Sequence, residues 1–370
     1  MDVLKRIDWV LLGSAVAISL LGIASMYEFG STNQFAPKQM LWLALGVAVF
    51  AVVHFIDWRF LRRTISAVGI YGVSVALLVA LFVVGATFQG AQSWFNFGAF
   101  AVQPADPAKL ALIIVLAKYF SRRHIEIARL RHVAVSGIYA LIIFLLLFFQ
   151  PDFGSAIIVL GVWVGVVLLA GIPLRHLVFL IGLGAVVGAS LWMFAFAPYQ
   201  KARIVSFLHP LADIQGVGYN AFQSTVAVGS GGLLGKGIGY GTQSRLQFLP
   251  EHETDFIFAA FSEEWGLGGV LLLFLLFGVI FYRIMTNAKY GATNFETLFS
   301  LGVGVLLLVH MSIHIGMNIG LLPVTGTPLP FMSYGGSHLI VGYVMLGMIS
   351  AMRRYGRLVH EDPHHEVVGA

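Results

Sequence analysis

Apolar runs about as long as a bilayer is thick recur along this 370-residue chain, and roughly 20 such residues in a helix cross the hydrocarbon core. Clean runs occupy 9–26, 40–56, 65–84, 133–149, 153–172 and 174–196. Four more are interrupted: 110–120 needs 105–108 to reach spanning length, 256–282 carries Glu263 and Glu264, 298–319 holds His310 and His314, and 339–352 needs several residues before it. In hydrocarbon every backbone N–H and C=O must find a partner within the protein, so runs of this kind fold as helices. The chain is therefore expected to be an all-α, polytopic integral membrane protein of about ten transmembrane helices, one domain over 1–370. Composition agrees, because 58% apolar and only 11% charged residues, with mean hydropathy +0.88, exclude an ordinary soluble domain.

Lysine and arginine then orient the spans, since cytoplasmic loops retain positive charge. Lys5, Arg6, Arg59, Arg62, Arg63, Lys118, Arg122, Arg123, Arg129, Arg131, Arg175, Arg283, Lys289, Arg353, Arg354 and Arg357 fall on one side, sixteen of the twenty-two. Lys38, Lys109, Lys201, Arg203, Lys236 and Arg245 fall on the other. Both termini are expected in the cytoplasm, with an uncleaved first helix. The pI near 9.4 reflects this topology, and no basic, aromatic-lined groove points to nucleic acid. With no cysteine in the chain, disulfides, thiol nucleophiles and thiolate metal sites are excluded.

Short basic connections on the cytoplasmic side contrast with three long outer loops, 86–109, 197–254 and 320–337, the second being a large loop between the seventh and eighth spans. Long loops in a compact domain tend to carry function. The run Gly229-Ser230-Gly231-Gly232-Leu233-Leu234-Gly235-Lys236-Gly237 is not a phosphate-binding P-loop, because Ser230 and Gly237 stand where that pattern needs Gly and Ser or Thr. It reads either as tight turns with positive φ or as backbone poised to touch a ligand.

Acidic residues are scarce on the outer side and concentrate in 251–264, which runs from a polar loop into an apolar helix with Asp255 at the boundary. An ionisable group entering a membrane is costly and is a functional candidate for that reason. If 255–264 is helical, Ser262 shares the Asp255 face, Glu263 lies about 80° round it and Glu264 lies opposite, at roughly 100° per residue. Glu263 is then the better supporting residue for Asp255, with Glu264 pairing to another helix. The structural alternative makes Asp255 a helix N-cap or a first-turn acid favoured by the helix dipole. Lys109 and Arg203 are candidates to bind an anionic phosphate group, against an alternative of anchoring to lipid headgroups. His310 and His314 are i,i+4 without a metalloprotease motif, which favours packing between helices, and metal ligands cannot be named from spacing.

These residues resemble the shape, elongation, division and sporulation (SEDS) family, and within it the rod-shape, RodA-like branch. The resemblance spans nearly the whole chain and rests on Gln103-Pro104 through Lys109, Gln150-Pro151-Asp152-Phe153-Gly154, Gly229 through Gly232, Pro250 through Gly266, and Leu322 through Ser337. Trp265 tilts it toward the rod-shape branch. It implies a ten-helix peptidoglycan glycosyltransferase that polymerises lipid II into β-1,4 glycan strands at the outer face of the bacterial cytoplasmic membrane during elongation. It further implies a class B penicillin-binding protein and other elongation-machinery proteins as partners. By resemblance Asp255 is the catalytic aspartate and Lys109 the family's lysine before the fourth helix. Asp152 lies in a shared motif and is expected to support the site. Asp106 departs from a usual Glu, His252-Glu253 from the usual order before Thr-Asp, and His314 from an expected Asn. The chemistry needs one base and some positive charge, the latter from Lys109, Arg203 or a divalent cation such as Mg or Mn. A lipid II flippase or a division or sporulation paralogue are the competing readings. A flippase needs charges lining a path at mid-membrane depth, whereas Glu263, Glu264 and Asp152 lie near the outer end.

Overall fold

In a computed structural model, residues 7–27, 34–88, 91–96, 98, 101–121, 130–194, 201, 205, 207, 218–246 and 248–360 are described. Among them ten helices have 17 residues or more: α1 (Trp9–Ser25), α2 (Phe35–Phe55), α3 (Thr64–Val84), α4 (Ala105–Ser121), α5 (Leu130–Phe149), α6 (Phe153–Leu169), α7 (Leu174–Phe194), α10 (Ile257–Lys289), α11 (Asn294–Asn318) and α12 (Gly336–His360). Two shorter helices, α8 (Tyr219–Ser230) and α9 (Thr242–Arg245), lie within the long stretch before α10. α2, α3, α5, α10 and α11 are long and apolar enough to cross a membrane, and α1 and α6 are shorter apolar helices. Ile65 and Val83 on α3 and most of α7 are exposed on the helical bundle, as befits side chains that face lipid.

The fold is all-α apart from one small feature not foreseen from the sequence. Three short antiparallel strands, β1 (Ala86–Phe88), β2 (Ala91–Asn96) and β3 (Ala101–Val102), occupy the loop between α3 and α4. A segment outside hydrocarbon but folded back on itself satisfies its backbone by pairing, here with Ala86 opposite Trp94 and Phe95 opposite Val102.

α12 lies along α2, α1 along α10, and α11 packs on α4, α6 and α10. Without a hydrophobic drive in lipid, helices associate where small residues admit close approach. Gly161 and Gly165, four apart on α6, do this against α11: a Cβ at Gly165 would stand 2.4 Å from Val305 Cγ1, and one at Gly161 2.9 Å from Val309 Cγ1.

The two ends of the bundle differ chemically. At one, Asp8 caps α1 through Leu11 N–H and accepts from Arg283 and Asn287 on α10 and Arg353 on α12. Arg62 pairs with Glu296 at 2.7 Å at the start of α11, and the Lys118 ammonium donates to the Arg62 carbonyl. At the other end, Gln39 at the start of α2 donates to Ser333 O and accepts from Gly335 N. This end gathers the loops that carry Asp255, Lys109 and Asp152.

Candidate functional site

Asp255 does not belong to α10. The helix begins at Ile257, its N-cap is Phe256, and no side chain of that cap residue closes the first turn. Asp255 sits in the preceding turn, where the Glu251 carbonyl accepts from the N–H groups of Thr254, Asp255 and Phe256. Asp255 thus lies two residues before the helix and shares no helical face with Ser262 or Glu263. The reading of Asp255 as a helix cap also loses its geometric basis, because the cap position lies one residue later.

A second segment closes over this turn. Tyr334 N donates to Glu253 O at 2.8 Å, Ser333 Oγ donates to Thr254 O at 2.7 Å, and Leu329 N donates back to Ser333 Oγ at 2.8 Å. Gly326, at φ +70°, brings its backbone so near that a Cβ there would lie 3.3 Å from Asp255 Oδ2. On the α11 side, Nδ1–H of His314 donates to Thr327 O at 2.7 Å, while His310 Nδ1 lies 3.4 Å from Pro328 O. The i,i+4 histidines thus hold consecutive carbonyls of the 320–337 loop, which gives interhelical packing a specific form. Burial of the Tyr334 ring pushes its phenol above the usual value, so it stays a neutral hydrogen-bonding group beside the turn.

Lys109 occupies a separate, buried cluster. Its ammonium lies 3.0 Å from Asp106 Oδ1, and His338 Nδ1 lies 3.4 Å from the same oxygen. Asp106, Lys109, His310, His338 and Phe331 line one small cavity. With Lys109 only 2% exposed, it does not snorkel to lipid headgroups, and its charge is already shared with Asp106. Phe331, five residues after Gly326, faces this cavity, so the two clusters are joined by at most about 18 Å of extended chain.

Asp152 caps α6 by accepting from Ser155 N at 3.0 Å, and its other oxygen accepts from Gln103 Nε2 at 3.1 Å. It ties the segment before α4 to α6, whose Gly154 lies tight against Thr325 and Thr327. Arg203 lies outside the described residues.

Glu263 and Glu264 correct the sequence reading most directly. Glu263 is completely buried, and its Oε1 accepts from Lys236 Nζ at 2.6 Å, Thr242 Oγ1 at 2.8 Å and Thr242 N at 2.9 Å. Its carboxylate holds the loop after α8, in place of the supporting contact to Asp255 expected for it. Glu264 Oε1 accepts from Gly239 N at 3.0 Å, in the same loop, so the two glutamates serve one segment despite lying on different helical faces. The reason is a break in α10 at Gly266, φ +63° and ψ −165°. There Lys236 N and Gly237 N donate to the carbonyls of Glu263 and Glu264, while Leu267 N and Gly268 N donate to Gly232 O and Leu233 O. The glycine cluster is spliced into a broken membrane helix and satisfies its backbone, the condition for such a break.

Several contributors carried no individual signal in the sequence: Asn318, Gln39 and His338 are ordinary polar residues, and Ser333 is one serine within the 322–337 motif. Only their long-range partners reveal them. Among the described residues, no group of three or more His, Cys, Asp or Glu side chains converges as a metal site.

The family model FTSW_RODA_SPOVE, described as a cell cycle protein, matches residues 3–358. Stage V sporulation protein E of Bacillus subtilis is 35% identical over 354 residues, covering 94% of each chain. Peptidoglycan glycosyltransferase MrdB of Escherichia coli is 36% identical over 324 residues, 86% of each. Among solved structures, a chain of a peptidoglycan synthase complex that coordinates polymerization and crosslinking superposes with TM-score 0.81 at 32% identity, covering 95% of this chain and 98% of that one. The rod shape determining protein RodA of Thermus thermophilus superposes with TM-score 0.70 at 31% identity, covering 94% and 97%.

Proposed function

The chain belongs to the FTSW_RODA_SPOVE family of cell cycle proteins, and on that premise we propose that it is a peptidoglycan glycosyltransferase in which Asp255 is the general base. The relatives named above supply the reaction class. The observation that carries the residue assignment is the placement of Asp255: a carboxylate held outside helix α10, half-buried, between a turn and the Gly326 backbone at the loop-rich end of the bundle. The substrate is lipid II, and the membrane is the bacterial cytoplasmic membrane with this end outward, a reading supported by the distribution of lysine and arginine. Labelling a cysteine at position 215 of the naturally cysteine-free chain from outside intact cells tests that orientation. Labelling only after permeabilisation reverses it.

Polymerisation joins a sugar hydroxyl of one lipid-linked disaccharide to the anomeric carbon of another. Asp255 takes the hydroxyl proton as the oxygen attacks, the bond from anomeric carbon to phosphate oxygen breaks, and the lipid diphosphate leaves with the electron pair. Attack opposite the leaving group inverts an α-linked diphosphate into a β-1,4 bond. Lys109 and Arg203 are the candidate charges for the diphosphate, with Asp152 holding the segment that leads to Lys109. A class B penicillin-binding protein as partner is supported by the similarity to a chain of a complex that coordinates polymerization with crosslinking. Trp265, standing directly after Glu263 and Glu264 in the sequence, supports the rod-shape branch of the family.

Asp255→Asn retains size and removes the base. Polymerisation of lipid II by the purified variant is expected to fall by at least ~10²-fold, with substrate binding retained. Near-normal glycan synthesis overturns the assignment.

A further inference from the structure

We infer that Asn318 is the positioning residue for Asp255, a step that rests on the reading of Asp255 as base and adds what holds it in place. Asn318 ends α11 and is completely buried. Its Nδ2 donates to Asp255 O at 3.1 Å and to His314 O at 2.8 Å, and its Oδ1 accepts from Ala259 N at 3.2 Å. Ser224 of α8 donates to the Asn318 main-chain carbonyl at 2.8 Å and approaches Oδ1 at 3.3 Å. Only one orientation of the carboxamide satisfies this set, because a flip would set its NH2 against the Ala259 N–H.

Ala259 N and Asp255 O are four residues apart, the two groups that an α-helix would bond directly. The Asn318 carboxamide stands between them, donating to one and accepting from the other, and so substitutes for the missing first-turn bond. Phe256 offers no capping side chain, so Asn318 also satisfies an orphan N–H of α10 from another helix. By occupying that gap it keeps Asp255 from being wound into α10. Asp255 remains in the turn, its carboxylate against Gly326. The same face of α11, through His314 one turn earlier, holds Thr327 O of the loop carrying Gly326. One helix end therefore sets both walls around the base.

Capping alone and positioning make opposite predictions for Asn318→Asp. A carboxylate caps a helix as well as an amide does, but it cannot donate to Asp255 O. Full-length protein is purified in detergent, and lipid II polymerisation is measured with kcat and KM separated, alongside Asp255→Asn. Asn318→Asp is expected to lower kcat at least tenfold with KM within about twofold, since an ~1 Å displacement of a reacting group costs up to ~10²-fold. Asn318→Gln, which keeps both donor and acceptor one methylene further out, is expected to retain more of kcat than Asn318→Asp. Normal kcat for Asn318→Asp beside an inactive Asp255→Asn overturns the positioning role and leaves the base assignment standing. Normal kcat for Asp255→Asn overturns the base assignment and this inference with it. A glutamine variant no better than the aspartate one, or a loss confined to KM, also overturns the role of Asn318.

Discussion

Lys236 reaches Glu263 Oε1 at 2.6 Å, and this ion pair fastens a loop into the gap of a broken helix. Glu263 is fully buried while Lys236 is about 29% exposed in its side chain. Cutting such a pair on one side leaves a buried charge behind, which costs roughly 3–5 kcal/mol. Lys236→Ala is therefore expected to lower the melting temperature of the detergent-solubilised protein clearly. Glu263→Gln, which stays neutral and keeps an acceptor for the Thr242 and Gln243 N–H groups, is expected to cost less. Equal losses would mean that the charge of Glu263 is not what holds the loop.

Gly235 tests the splice through its backbone. Its φ is +77°, and a Cβ there would lie 2.0 Å from Glu264 O. Gly235→Ala must push two backbones apart, so a drop in stability of at least ~1–3 kcal/mol is expected. Gly229 has open space around it, and Gly229→Ala is expected to be neutral or slightly stabilising, as a helical position. Thermal unfolding of both variants in one detergent makes the comparison.

Lys109 is best examined together with Asp106. Lys109→Ala alone leaves a buried carboxylate facing His338 and His310 and is expected to destabilise by about 3–5 kcal/mol. Adding Asp106→Asn removes the stranded charge, so the double variant is expected to regain most of that stability. If lipid II polymerisation stays low in the stable double variant, the lysine charge serves the diphosphate. Full recovery of both would make Lys109 a packing partner of Asp106 only.

Asp8 gives the basic end a pH dependence of known sign. Burial works to raise its carboxyl, but the hydrogen bonds from Arg283, Asn287 and the Leu11 N–H outweigh it, and the net shift is below the ordinary value of 3.8. A depressed folded value contributes stability that is complete above the unfolded value and lost as pH falls through the folded one. Unfolding measured between about pH 6 and pH 2 is expected to show the native chain losing stability below about pH 4 more steeply than Asp8→Asn. Parallel curves would show that the cluster does not couple to folding.

The sequence by itself determined the helices, their number and the identity of the chemically unusual loop end, because bilayer thickness and backbone satisfaction leave a long apolar run little choice. The start of α10 and the face on which Glu263 and Glu264 act escaped it. The first depends on Asn318, which stands between Asp255 O and Ala259 N, and the second on Gly266 breaking the helix and on Gly231–Gly237 arriving from another part of the chain to complete it. Periodicity reports which residues share a face only while the helix continues, and a glycine alone does not announce that it will stop. Lys109 was legible as a rare charge near a helix start, but its partner Asp106 and neighbour His338 are separated by more than two hundred residues and meet only in the folded bundle. Asn318 is the extreme case: one polar residue at the end of an apolar helix, without local signal. Its meaning comes wholly from Asp255 and Ala259, which tertiary packing brings to either side of its carboxamide.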